Sequence, residues 1–257
     1  MASAMRAQRC FDRIRINSRR MANSAVAAVL ARSSRNQLIA DVCSGESLVR
    51  HSGTLILTIF VFGGLYGAVL GFWRSPLLGL YVSVKFPLLL CVTALLTSLF
   101  NWMAASMLGL SLRYSQVALM NLFALAIAAV ILGSVAPVVW FMTMSAPPPT
   151  PSARTAHNIL YLLHTGLVAA AGLGGTAFLL KLLTISSGDA RRSRKIYAVW
   201  VLTFALTGGE VGWLLRPFVG SVYHPVVFVR SDSFRRNVYE FIAADIVPHL
   251  ISSLTED

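Results

Sequence analysis

The twenty residues from Thr54 to Trp73 carry no charged side chain. At about 1.5 Å of rise per residue a helix of that length crosses about 30 Å, the thickness of a bilayer's hydrocarbon core. Four further apolar stretches follow, near 86–108, 117–143, 158–183 and 196–215. They predict an all-α polytopic membrane protein, a bundle of about five transmembrane helices. The breaks between them have physical causes. Arg74-Ser75-Pro76 ends the first span, the proline-rich loop 146–152 cannot be helical, and Arg216-Pro217 closes the fifth. Residues 77–110 are too long for one untilted helix and are interrupted at Lys85 and Pro87, so the expectation is a helical lead-in over 77–84 and a main span over 86–108. Pro137 is expected to kink the third span.

Composition agrees with this reading. The chain has 257 residues, 56% of them hydrophobic and 12% charged, with a mean hydropathy of +0.69. That is too little polar surface to cover a soluble globule, so apolar residues face lipid. A formal charge of +12 would suggest nucleic acid in a soluble protein. Here the cations sit in blocks at the ends of apolar runs, which is the pattern of membrane orientation, and no nucleic-acid partner is expected. Cys10, Cys43 and Cys91 are far apart, which gives neither a disulfide framework nor a thiolate metal site.

Three regions follow. Residues 1–50 form a basic arm with nine arginines against Asp12, Asp41 and Glu46. It reads either as a transit peptide for an organelle or as a cytoplasmic arm on anionic lipid, and the acids favour the arm. Residues 51–216 hold the spans. Residues 217–257 form a polar tail in which 224–230 is extended and Ser231-Asp232-Ser233 offers caps for a helix beginning near Phe234. Phe234, Val238, Phe241, Ile242 and Ile246 recur there at helical spacing, an amphipathic helix for the membrane surface or the bundle. With the N-terminus in the cytoplasm, inner segments hold fifteen cations and outer segments six, which places the N-terminus inside and the tail outside. A bacterial inner membrane fits that orientation; an organellar membrane is the alternative.

Polar and small residues inside spans are the candidate functional positions. Gly63, Gly67 and Gly71 in the first span, and Gly166, Ala170 and Gly174 in the fourth, form small-residue faces on which helices approach closely. Such faces serve packing inside one bundle or docking of another chain. Glu210 lies about 9 Å below the end of the fifth span, where an ionised carboxylate needs a partner, water or a proton. Lys85 falls at similar depth, so the two are expected to form an intramembrane ion pair, the alternative being that Lys85 snorkels to the interface. His157 and His164 share a helical face, but no second histidine pair opposes them, and neither cofactor nor metal is expected. H-E-x-x-H, G-x-S-x-G and Walker sequences do not occur, so no catalytic residue is assigned.

The most distinctive string is Trp213-Leu-Leu-Arg216-Pro217-Phe218-Val-Gly220-Ser221, followed by Pro225, Phe228 and Arg230. Arg216 suits a helix C-terminus, Pro217 stops the helix and Gly220 permits a turn. Together with Leu80-Tyr-Val-Ser-Val-Lys-Phe-Pro-Leu-Leu89, this string resembles a group of bacterial inner-membrane proteins related to the Yip-domain family. The resemblance covers about residues 45–235 and implies five helices, a cytosolic N-terminus and, in eukaryotes, a role in membrane trafficking through small GTPases. The expected function is that of a non-enzymatic membrane protein that organises membrane or partner proteins, as an accessory subunit of a larger complex or as a homo-oligomer. The alternative is a small transporter or channel using Lys85 and Glu210.

Overall fold

The computed structural model describes residues 48–150, 153–220, 225–231, 233–235 and 237–241. The arm through residue 47, and the tail beyond residue 241 with the expected helix positions Ile242 and Ile246, lie outside the described residues. Seven helices are described: α1 (Leu48–Thr58), α2 (Gly64–Phe72), α3 (Pro76–Met107), α4 (Tyr114–Ser145), α5 (Arg154–Ser187), α6 (Ala190–Leu214) and α7 (Val238–Phe241), with a π-helical stretch, Ile59–Gly63, joining α1 to α2. The first span is thus one helix carrying a π-bulge. Five helices are long and apolar enough to cross a membrane: the first span and α3 to α6. The protein is an all-helical polytopic membrane bundle.

Local chemistry sets the helix ends. Ser75 Oγ accepts from the Leu78 amide at 3.1 Å, and Pro76 occupies the first helical position of α3, where no amide is missed. Gly188 ends α5 in the left-handed region at φ 68°, and Asp189 then caps α6 by accepting from the amides of Arg191 and Arg192 at 2.8 and 3.4 Å. Two sequence expectations change. The proposed lead-in and main span of residues 77–110 form one continuous helix through Lys85 and Pro87, packed against the first span by backbone contact. The tail helix starts at Val238, later than Ser231–Ser233 suggested. Asn237 Oδ1 accepts from the Glu240 amide at 2.7 Å and Glu240 accepts from the Asn237 amide at 3.3 Å, a reciprocal cap.

The third span, α4, is the most enclosed, with 67% of its apolar window buried against 22% for α6. It lies between the first span, α3 and α5, while α6 packs on α3 and α5. The first span and α3 pack backbone to backbone. A Cβ on Gly67 would stand 2.5 Å from the Val82 carbonyl oxygen, and one on Gly71 2.7 Å from that of Leu78. Gly63 is buried on the same side, against Phe86, Pro87 and Leu90. The first glycine face is therefore an internal packing surface.

The loops define two ends. At one, the tail end, lie the α2–α3 and α4–α5 turns and the chain after α6; at the other, the basic end, lie the α3–α4 and α5–α6 turns. Trp73 Nε1 donates to the Pro147 carbonyl at 3.0 Å at the tail end. Arg192 Nη1 donates to the Gly109 carbonyl at 3.3 Å at the basic end.

Candidate functional site

Three polar constellations lie inside the bundle, and each joins distant helices. The first surrounds Lys85 on α3. Its side chain is 0% exposed, unusual for an ammonium in an apolar span. After α6 ends, the chain folds back: the Arg216–Pro217 peptide is cis, Gly220 sits at φ 74°, and the Arg230 amide donates to the Arg216 carbonyl at 3.3 Å. This fold-back brings the Pro217 carbonyl to Lys85 Nζ at 3.1 Å, with Phe228 and Phe218 ring centroids 5.1 and 6.0 Å away. Tyr81 meets Phe228 edge to face at 5.5 Å. The ammonium thus clasps the tail to α3 through one carbonyl and two ring faces. Cation–π contacts of desolvated groups are each worth about 2 kcal/mol.

The distinctive string supplies this clasp. Trp213 stacks under the Arg216 guanidinium at 3.6 Å, Pro217 and Phe218 meet Lys85, and Gly220 turns the chain over Leu78. A Cβ at Gly220 would fall 2.5 Å from Leu78 Cδ2, and its left-handed backbone favours glycine independently. A small cavity of about 20 Å³ lies beneath, lined by Arg74, Leu78, Pro217, Pro225 and Arg230 among others. It is large enough for about one water molecule.

The expected ion pair is corrected here. Among the described residues no salt bridge joins Lys85 to Glu210: the lysine turns to Pro217 and its aromatic neighbours. Glu210 is half-buried on α6, and its charge reaches Tyr239 of α7. Tyr239 Oη donates to the Leu206 carbonyl on α6, and burial first, then the Glu210 charge, pushes the Tyr239 phenol above its ordinary range. The short tail helix therefore rests on α6.

The second constellation joins the first span to α5. Tyr66 Oη and His164 Nδ1 are 2.9 Å apart, Tyr66 being 0% and His164 4% exposed. Seven residues away on each helix, Trp73 and His157 stack with ring centroids 5.6 Å apart. The two histidines do share a face, as their spacing indicated, and that face is filled by aromatic rings of the antiparallel first span. Among the described residues no group of three or more His, Cys, Asp or Glu could hold a metal ion.

The third was not singled out from sequence. Asn101 Nδ2 donates to Asn121 Oδ1 at 3.3 Å, and Asn121 Nδ2 reaches Ser98 Oγ at 3.2 Å and Thr97 Oγ1 at 3.4 Å. Trp200 Nε1 donates to the Asn101 carbonyl at 2.9 Å, so α3, α4 and α6 meet there. Asparagines within two apolar runs were the available signal, since a buried amide in a membrane requires a partner.

The fourth span's small residues face elsewhere. Gly166, Ala170 and Gly174 are exposed on α5, and a Cβ at Gly166 would meet nothing within 4 Å. α5 packs inward through Ala171 and Gly175 instead, Gly175 lying against the Ala124 carbonyl of α4. No family model matches the chain, and neither does any curated protein or solved structure. The resemblance to Yip-domain proteins accordingly rests on the motifs quoted above.

Proposed function

We propose that the chain is a non-enzymatic integral membrane protein that organises partner membrane proteins, as an accessory subunit of a larger complex or as a homo-oligomer. The observation that carries this reading is the use made of Lys85. A transporter built on Lys85 and Glu210 needs that ammonium beside a path; it is instead enclosed in the tail clasp. The Tyr66–His164 and Asn101–Asn121 contacts likewise join helices of this chain to one another. What α5 turns outward is a small-residue face of Gly166, Ala170 and Gly174, a surface on which a second helix approaches closely. The cations exposed at the basic end support a cytoplasmic placement of that end and, with the Yip-like motifs, a bacterial inner membrane.

Purification of the full chain in mild detergent tests the reading, with mass spectrometry of the chains that accompany it and flux assays on vesicles containing the chain alone. The expected outcome is a stoichiometric membrane chain, a second copy included, that is released by Ala170→Leu. Solute flux through the chain alone, abolished by Lys85→Gln at unchanged yield, overturns it in favour of transport.

A further inference from the structure

Helices α3 and α6 run antiparallel along one seam, and a series of contacts fixes its register. Trp200 Nε1 donates to the Asn101 carbonyl at 2.9 Å. Eight residues back along α3 and eight on along α6, a Cβ at Gly208 would find Thr93 Cγ2 at 3.7 Å and Thr93 Oγ1 at 4.0 Å. One turn further, a Cβ at Gly212 would meet Leu89 Cδ1 at 3.5 Å, and Lys85 then meets Pro217. Asn101, Thr93, Leu89 and Lys85 therefore line the side of α3 that faces α6.

Two polar atoms on this seam have no hydrogen-bond partner among the described residues, Asn101 Oδ1 and Thr93 Oγ1. Both side chains are enclosed, Asn101 at 0% and Thr93 at 3% exposure. The direction of bonding explains the first. Thr97 Oγ1 and Ser98 Oγ donate their hydrogens to the carbonyls of Thr93 and Ala94. Their oxygens then accept from Asn121 Nδ2, and Asn121 Oδ1 accepts from Asn101 Nδ2. Asn101 stands at the end of this series with a carbonyl oxygen to which nothing described donates. Thr93 departs from the other buried threonines of the bundle. Thr58, Thr97, Thr143 and Thr176 each donate to the carbonyl four residues earlier, whereas the Thr93 hydroxyl does not and lies toward Gly208. Such groups inside a membrane bundle are costly unless a partner meets them.

We propose that each of these two atoms binds an internal water molecule, so that α6 is joined to α3 through two hydration sites. A buried carbonyl oxygen needs a donor and a buried hydroxyl needs an acceptor; water supplies both and is small enough to lie between two helices. Gly208 keeps the position opposite Thr93 free of a side chain, and helical carbonyls beside it have a second lone pair with which to accept. Asn101 is six residues from the end of α3, about 9 Å, which is a short path for water from the headgroup layer. The choice of water over a metal cation follows from the same register. The two atoms lie on residues eight apart, about 12 Å along α3, whereas a hard cation gathers six or more oxygens around one point. Phe204, buried and midway in sequence between Trp200 and Gly208, falls by its spacing between the two sites, which are therefore separate and form no continuous file across the bundle.

The test is solid-state NMR on the full chain in bilayers with labelled threonine and asparagine, following the transfer of polarisation from water protons into each side chain. Signals are assigned through their backbone neighbours, so the parent chain suffices. Thr58 is the internal reference, because it is buried at 2% exposure and its hydroxyl donates to the Thr54 carbonyl. Thr93 and Asn101 should receive water polarisation at shorter mixing times than Thr58. Transfer no faster than that of Thr58 overturns the site at the atom concerned. Gly208→Ser gives a second reading: a Cβ fits there, and the added hydroxyl, one bond further out, meets Thr93 Oγ1 in place of water. Thr93 should then fall back to the rate of Thr58 while Asn101 is unchanged. Fast transfer that persists at Thr93 in this variant overturns its site. An unfolding midpoint of the parent chain that rises in sodium chloride, relative to choline chloride at equal ionic strength, overturns water in favour of a sodium ion.

Discussion

The first and fourth spans carry small residues at the same spacing, yet their fates are opposite. Gly63, Gly67 and Gly71 are buried against α3, where the backbones touch; Gly166, Ala170 and Gly174 are exposed, and α5 packs through Ala171 and Gly175 one position further round. The difference teaches that small-residue spacing marks a surface capable of close approach and leaves open which neighbour uses it. In the first span the user is this chain's own α3. In the fourth, a Cβ at Gly166 would meet no described atom within 4 Å, while one at Gly174 would stand 3.0 Å from Ile131 Cδ1 of α4.

One chemical change made on both faces should separate them most strongly. Gly67→Ala places a methyl 2.5 Å from the Val82 carbonyl oxygen, and because the obstacle is backbone rather than a flexible side chain, the loss of stability should reach about 3 kcal/mol. Gly166→Ala meets open space and should change stability by less than about 0.5 kcal/mol. Denaturation of both variants in detergent measures the contrast. Equal effects would mean that the two faces are packed alike.

The inward sides of the same two spans can be compared next. Tyr66→Phe removes the hydroxyl that meets His164 and leaves the imidazole buried with one fewer partner. Buried hydrogen bonds between membrane helices are worth about 0.6 to 2 kcal/mol, so a loss of about 1 kcal/mol is expected, well below that of Gly67→Ala. Pairing Tyr66→Phe with His164→Phe in a double-mutant cycle isolates the term, and strictly additive effects would show that the contact contributes nothing.

The smallest effect belongs to the cap that follows the fourth span. Asp189 has its carboxyl held below the ordinary value of 3.8 by the Arg191 and Arg192 amides. A depressed acid contributes stability above its unfolded value and loses it as pH falls through the folded one. The cap should therefore be intact at neutral pH and weaken only below about pH 4. Asp189→Asn, which keeps an acceptor without the charge, should remove that pH dependence, and a melting temperature with the same acid slope in both chains would contradict the assignment.

The sequence made the five spans legible because the bilayer forces a length and an apolarity that few other structures need. Which side of each span faces protein was not legible, since lipid-facing and protein-facing residues are both apolar and leave little contrast around the helix. The continuity of α3 was hidden for a related reason: Pro87 reads as a break, while the supporting contact comes from Gly63 and Gly64 on another helix. Lys85 was correctly marked as a group requiring a partner. Its partner was unreadable because it is a backbone carbonyl 132 residues away, presented by a fold-back at Pro217. Sequence reasoning paired Lys85 with Glu210 because it could weigh only side chains. His157 and His164 were correctly placed on one face, and Tyr66 and Trp73 became their counterparts only once the first span was seen to run antiparallel beside them.

The outward face of the fourth span is tested most directly by the mass of the assembled particle. Light scattering on the full chain in mild detergent, corrected for bound detergent, should give a particle heavier than the 27.9 kDa of one chain, with its constituents identified by mass spectrometry. The Gly166→Leu, Ala170→Leu double variant should return it to a single chain with its unfolding midpoint unchanged. A particle of one chain at every concentration, the same for parent and variant, would contradict the account.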